Sequence, residues 1–376
     1  MIALARKSLV HEWRRFVPAV LSVTFSGVLL VVQAGLVLGI FGSAAVYVTA
    51  SSADLWTGYP GTQSVNFGRP IGADVEMRLR MDPDVTEVEP YLWVEGDWRG
   101  AQGDNGALSV VVSGVRTEST AMMFSRVLSA SQRQRLREPG AVIVDIADID
   151  QLSSVIGGRA WINGRPVHVV AAVGGLRALS GVNVIASLET ARSLNIGNPA
   201  GMTYFVARLR DPLLANTVRA RVGAAPSFGP FEVWTAKSFA RRSQLYWLFD
   251  TGAGVAVFFM AAIVCLVGAV ITSQSLMAVV AGSAREYATL NALGASIGSI
   301  GRVVIEQACW IGGIGILLAA LTSAALLGIA SQQDVPVAMN TPVALACALI
   351  VAALALVSGL IALRALMRAD PALLLR

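Results

Sequence analysis

The stretch FVPAVLSVTFSGVLLVVQAGLVLGIFGSAAVYVTASSA, residues 16–53, runs for 38 residues without Asp, Glu, Lys or Arg. About 20 apolar residues cross a bilayer core, so this run is long enough for a transmembrane helix. Three further charge-free runs follow: 34 residues at 251–284, 27 at 307–333 and 29 at 335–363. Together they predict four apolar spans, near 17–46, 247–272, 303–329 and 342–363. Composition agrees, with 55% apolar and 14% charged residues in 376, against about 25% charged in a soluble domain. An ordinary soluble enzyme, a disordered chain and a disulfide scaffold are excluded. The first run is expected to be kept rather than cleaved as a signal peptide, whose apolar region covers only about 7–15 residues.

The runs set the expected layout. An interfacial helix at 1–16 precedes a transmembrane helix at 17–49. A periplasmic α+β domain occupies 50–243, large enough for its own core. A second transmembrane helix at 244–280 leads to a cytoplasmic coupling helix at 281–300. A third spans 301–330, a short outer loop covers 331–341, a fourth spans 342–365, and 366–376 form a tail. The fold class is thus a membrane protein with one plus three transmembrane α-helices and a large extracytoplasmic α+β domain inserted after the first.

Charge sets the orientation. The 50–243 segment holds 20 of the 29 basic and 18 of the 24 acidic residues and is nearly neutral. The net charge of +5 is therefore no nucleic-acid footprint. The other basic residues are Arg6, Lys7, Arg14, Arg15, Arg285, Arg302, Arg364, Arg368 and Arg376. In a four-span layout all nine flank one side of the membrane. The positive-inside rule places that side, with both termini, in the cytoplasm.

The large domain reads as mixed α and β. Strands are expected at 107–114, 140–145 and 202–209, and a hairpin within 157–173 turns at Asn163-Gly164. Helices are expected at 119–137, 187–194 and 212–222. Catalytic chemistry is sparse. The two histidines, His11 and His168, read as a basic-segment residue and a strand residue. Asp145, Asp148 and Asp150 lack calcium-loop spacing and read as a solvated loop. Trp56, Trp93, Trp98, Trp161 and Trp234 read as core packing, interface contact or an apolar binding surface. Cys265, Cys309 and Cys347 all fall in spans and read as packing residues. No metal site and no cofactor are expected.

Two cytoplasmic segments carry pattern. Ile2, Ala5, Leu9, Trp13 and Phe16 recur at helical spacing beside four basic residues, as in an interfacial helix. In REYATLNALGA (285–295), Tyr287, Leu290 and Leu293, with Ile297 beyond it, share one helical face. Arg285 and Glu286 begin that helix, and Gly294 supplies a helix stop. A phosphate loop needs Gly before Lys and Ser or Thr after it. The two lysines, Lys7 and Lys237, follow Arg6 and Ala236, so any ATPase activity belongs to a separate subunit.

These segments resemble the MacB/FtsX/LolC class of ABC-transporter permeases, also called type VII or mechanotransmission transporters, and within it the DevC-type permeases. REYATLNALGA resembles that family's coupling segment, with Asn291 where Lys is usual. YWLFDTGAG (246–254) and VITSQSL (270–276) resemble the two ends of its second span. RADPALLLR (368–376), with Asp370 and Pro371, resembles its closing motif. The resemblance implies a homodimeric, non-enzymatic permease bound to two copies of an ABC ATPase that holds the ATP. Arg285, Glu286, Tyr287, Thr289, Leu290, Leu293 and Gly294 would dock on that ATPase. It further implies an inner-membrane location, a periplasmic membrane-fusion adaptor, an outer-membrane channel and export of an amphiphilic or lipid-like cargo. The alternatives are an FtsX-like transmitter that regulates a periplasmic enzyme and a LolC-like lipoprotein-release permease. Gly35 and Gly39 suit either a dimer seam or packing within the chain. Asp250 and Glu306 are candidate polar contacts in motion, Glu306 being also a candidate partner of Arg302.

Overall fold

The computed structural model describes residues 13–101, 106–179, 181–196, 201–223, 230–283, 289, 297–333 and 335–368. The chain divides into two compact units, Met1–Gly39 with Val255–Arg376, and Ile40–Gly254. In chain order the elements are α1 (Trp13–Ser43), α2 (Val46–Thr49), β1 (Leu55–Gly58), α3 (Asp74–Arg80), β2 (Val85–Gly100), β3 (Leu108–Val115), α4 (Ala130–Arg135), β4 (Ala141–Asp145), β5 (Arg159–Ile162), β6 (Arg165–Val173) and β7 (Val182–Ser187). There follow α5 (Leu188–Leu194), β8 (Tyr204–Leu209), α6 (Ala215–Gly223), β9 (Glu232–Thr235), α7 (Ala236–Leu245), α8 (Gly252–Gly282), α9 (Ile297–Gln332) and α10 (Thr341–Arg368).

Among the described residues four helices are long and apolar enough to cross a membrane: α1, α8, α9 and α10. One precedes the sheet-rich domain and three follow it. Where α8 was expected to begin near 247, residues Tyr246–Asp250 instead form a single π-helical turn and Thr251 is extended.

The strands follow the order β3-β7-β4-β6-β5-β2-β8-β1-β9, and β3 also pairs with β2. That extra pairing closes six strands into a ring, because the 16-residue β2 serves two sheets. Its first part pairs with β8 through Tyr91↔Tyr204. From Leu92 onward it pairs with β3 on one side, and at Trp98 to Gly100 with β5 on the other. Residues 92–99 alternate buried and less buried, the period-2 pattern of a strand with one face inward. Leu92, Val94 and Trp98 point into a core with Val112, Val142, Val144, Ile162, Val169 and Val184. The expected hairpin is β5–β6. Asn163 (φ 51°) and Gly164 (φ 76°) occupy the left-handed region that its two-residue turn demands.

One helix expectation is corrected. Over 119–137 only Ala130–Arg135 is helical. Ahead of it two buried charged side chains bind the backbone, Glu89 from β2 and Arg133 from α4 itself. Glu89 accepts from the backbone N–H of Met122 (2.5 Å), and Arg133 donates to the carbonyls of Arg116 (3.0 Å) and Met123 (2.5 Å). Phe124 between them adopts φ 52°. Backbone groups bound in this way are not available to an i→i−4 ladder.

The acidic cluster is corrected as well. Asp145 and Asp148 are buried, and only Asp150 is exposed. Asp145 accepts from the N–H groups of Ala147 (2.9 Å) and Leu176 (2.7 Å), tying β4 to the loop before β7. Asp148 lies 3.4 Å from Arg177, and burial pushes its carboxyl pKa up.

Candidate functional site

In the helical unit, α1 is the central packing element. Val23 and Thr24 meet Gly315 of α9, where an added Cβ would lie 2.6 Å from Val23 Cγ1. A Cβ at Gly27 would lie 2.7 Å from Ala319 Cβ and 3.8 Å from Val351 of α10. On the α8 side, the Ser22 and Ser275 hydroxyls are 2.7 Å apart, and Gln33 donates to the Val257 carbonyl (3.3 Å). Small residues permit this close approach, and hydroxyl contacts join the helices.

Gly35 and Gly39 belong to the same packing. The segment 335–340 between α9 and α10 crosses them. The Ala338 N–H donates to the Gly35 carbonyl (3.0 Å), and a Cβ at Gly39 would lie 2.6 Å from Val337 Cα. Their small side is therefore occupied by this chain's own loop. Cys347 is buried in the helical core with Cys265 packed against it. Glu306 is half-buried on α9, and Arg302 is exposed. Of the coupling-segment residues only Thr289 is described, and it is exposed. Arg285, Glu286, Tyr287, Leu290, Leu293 and Gly294, and likewise Asp370 and Pro371, lie outside the described residues, as does the interfacial segment up to residue 12.

In the sheet domain an aromatic hub joins strands to helix. Trp56 of β1 lies 5.8 Å from Tyr91 of β2, and 5.6 Å from both Tyr204 of β8 and Phe239 of α7, measured between ring centroids. Trp234 stacks on Phe239 at 4.6 Å. Such aromatic pairs contribute about 0.5–1.5 kcal/mol each beyond their buried area. Of the five domain tryptophans, Trp56, Trp98 and Trp234 are buried, Trp93 is half-buried, and Trp161 is 41% exposed.

From this hub a clamp reaches the π-helical turn. Thr235 caps α7, accepting from the Ser238 N–H (3.2 Å). Arg242 of α7 donates to Glu232 (3.1 Å) and Gln63 (3.1 Å) while lying over the Trp234 ring. Glu232 also accepts from the Gly61 N–H (2.9 Å). Next, the Trp247 indole N–H donates to Ser64 Oγ (3.3 Å). Phe67 stacks on Trp247 at 6.2 Å and meets Tyr246 edge-on at 5.3 Å. The 61–67 segment is thus fastened along α7 and the turn Tyr246–Asp250. Asp250, at the end of that turn, is exposed. Single π-helical turns are rare and concentrate at functional positions. The motif YWLFDTGAG carried no signal for this geometry, because helical and π-helical turns draw on the same residues.

No catalytic constellation is present in the region described. His168 Nε2 lies 3.3 Å from Glu138 at the domain surface. Among the described residues no three His, Cys, Asp or Glu side chains are grouped to hold a metal ion.

Residues 258–371 match the family model described as FtsX-like permease C-terminal. No curated protein matches the chain. Among solved structures, the periplasmic region of MacB from Actinobacillus actinomycetemcomitans aligns at 10% identity and TM-score 0.37, covering 52% of this chain and 94% of that one. The extracellular domain of the noncanonic ABC-type transporter YknZ from Gram-positive bacteria aligns at 10% identity and TM-score 0.34, covering 49% and 100%. A domain of a putative permease protein from Porphyromonas gingivalis aligns at 14% identity and TM-score 0.28, covering 49% and 86%. Among the described residues the apolar helices, one before and three after a sheet-rich domain, fit a multi-pass membrane protein, and residues 258–371 are similar to the C-terminal region of FtsX-like permeases.

Proposed function

We propose that this chain is the permease subunit of an ATP-driven ABC assembly that moves its sheet domain on the outer side of the membrane to export an amphiphilic or lipid-like cargo. The observation that carries the reading is the FtsX-like match over the three C-terminal helices in a chain whose sheet domain is inserted after α1. Two copies of the chain would assemble with two copies of a separate ATPase, since neither lysine of this chain stands in a phosphate loop. The segment 285–295 would dock on the ATPase through Tyr287, Leu290 and Leu293. ATP-driven closure there would be passed through the helices to the sheet domain, within which 61–67 is fastened to α7. Both termini would be cytoplasmic in the inner membrane, and a membrane-fusion adaptor with an outer-membrane channel would complete the export path.

Affinity purification from native membranes, with protein and lipid mass spectrometry, tests this. The expected result is an ABC ATPase in equal amount with the permease, together with an adaptor. Recovery of the permease without any ATPase would refute the assembly.

A further inference from the structure

Residues 116–128 form an irregular strap between β3 and α4. One side of it grips the chain that enters the sheet domain after α1. The Ser52 N–H donates to the Met122 carbonyl (3.1 Å), and the Arg126 N–H to the Ala50 carbonyl (3.1 Å). The Arg126 guanidinium donates to the Thr49 carbonyl (3.1 Å), and Phe124 meets Tyr47 of α2 edge-on at 6.3 Å. The other side rests on two buried charged groups, Glu89 of β2 and Arg133 of α4. Glu89 Oε2 accepts from the Met122 N–H, and Arg133 donates to the Met123 carbonyl. Neighbouring residues of the strap are thus held by opposite charges, and the entering segment is held through them. Phe124, between the two grips, stands at φ 52°. A bulky residue keeps that conformation only where its surroundings impose it, so the closed strap depends on the groups that grip it.

Of those groups only Glu89 titrates below neutrality, since a guanidinium stays charged. Its second oxygen, Oε1, makes no hydrogen bond among the described residues. An ionised carboxylate is costly in such a place. The N–H groups of Met122 and Met123 and the charges of Arg133 and Arg116 all favour ionisation, yet burial outweighs them and lifts the pKa above 4.5. Both guanidinium groups direct their hydrogen bonds elsewhere. Arg133 bonds the Arg116 and Met123 carbonyls, and Arg116 bonds Glu87 (3.2 Å) and Glu118 (3.1 Å). When the strap opens, Glu89 reaches water and regains its ordinary acidity. The closed strap therefore binds the proton more tightly than the open one. Its stability is full below the ordinary value and declines as pH rises through the raised one.

We propose that the strap 116–128 is a proton-controlled latch on the segment that follows α1, tying residues 49–52 to β2 while Glu89 is protonated and loosening when Glu89 is ionised. The latch lies within the sheet domain and operates whether or not the chain works with an ATPase.

Amide exchange of the full chain in detergent, read by mass spectrometry from about pH 4 to about pH 8, tests this. Protection is each amide's rate relative to the same amide in an unfolded peptide. Protection at 120–126 is expected to be lower than in β3 at every pH. It should fall as pH rises past the ordinary value, by up to about tenfold per pH unit, and then level off. Glu89→Gln keeps an acceptor for the Met122 N–H but has nothing to titrate, so its strap protection should not vary with pH. Arg126→Ala removes the bond to Thr49 and leaves Glu89 in place. It should lower strap protection at every pH with the pH dependence retained, and it reads the latch even where Glu89→Gln does not fold. Strap protection that is independent of pH in the unsubstituted chain, that varies equally in Glu89→Gln, or that matches β3 throughout overturns the proposal. Recovery of the chain without an ATPase would refute the permease assembly and leave the latch standing.

Discussion

Gly39 has no space for a side chain, because a Cβ there would sit 2.6 Å from Val337 Cα. Gly328 is also on an apolar helix, yet nothing lies within 4 Å of its added Cβ. Gly39→Ala is therefore expected to lower the thermal midpoint of the detergent-solubilised protein, at a cost of about 1–3 kcal/mol typical of overpacking. Gly328→Ala should leave it unchanged or slightly raised, and equal effects would contradict the packing of 335–340 over α1. Two carboxylates of the sheet domain predict opposite dependences on pH. Arg221 grips Asp82 with two bonds of 2.6 Å and holds its pKa below the ordinary 3.8. That stabilisation is complete above the ordinary value and is lost as pH falls through the depressed one. Arg221→Ala should therefore flatten the acid limb of stability below about pH 4. Glu89 differs. Burial raises its pKa above 4.5, against the opposing pull of the Met122 N–H. It binds its proton more tightly folded than unfolded, so its contribution weakens as pH rises past the ordinary value. Glu89→Gln should remove that decline, and a pH profile of thermal unfolding reads both variants.

The clamp between 61–67 and the π-helical turn is a property of two elements. Trp247→Ala removes the stacking on Phe67 and the hydrogen bond to Ser64. Amide exchange should then speed up at 61–67 while the β2–β3 ladder keeps its protection. Uniform acceleration across the domain would show that Trp247 supports the fold as a whole. Asn163-Gly164 announces its hairpin because the turn needs left-handed residues at both centres and finds them locally. Residues 119–137 look helical in isolation, but Glu89 of β2 captures the Met122 N–H and Arg133 folds back onto the Met123 carbonyl. Asp145 and Asp148 look solvated because burial depends on Leu176 and Arg177, some thirty residues on.

Across the whole molecule, the charge-free runs locate the four helices, because a bilayer excludes ionised groups whatever the packing inside it. In the proposed assembly, what the helices do together would rest on the segment 285–295, where Tyr287, Leu290 and Leu293 recur at helical spacing in the sequence. The most direct measurement is the ATPase rate of the assembled complex with Leu290→Asp and Leu293→Asp in the permease, at equal membrane levels of the chain. A carboxylate on a docking face leaves an unpaired charge against apolar surface. The ATPase should dissociate from the permease, and complex-dependent ATP hydrolysis should fall at least tenfold. Full activity and full association in both variants would contradict the coupling of this permease to an ATPase through that segment.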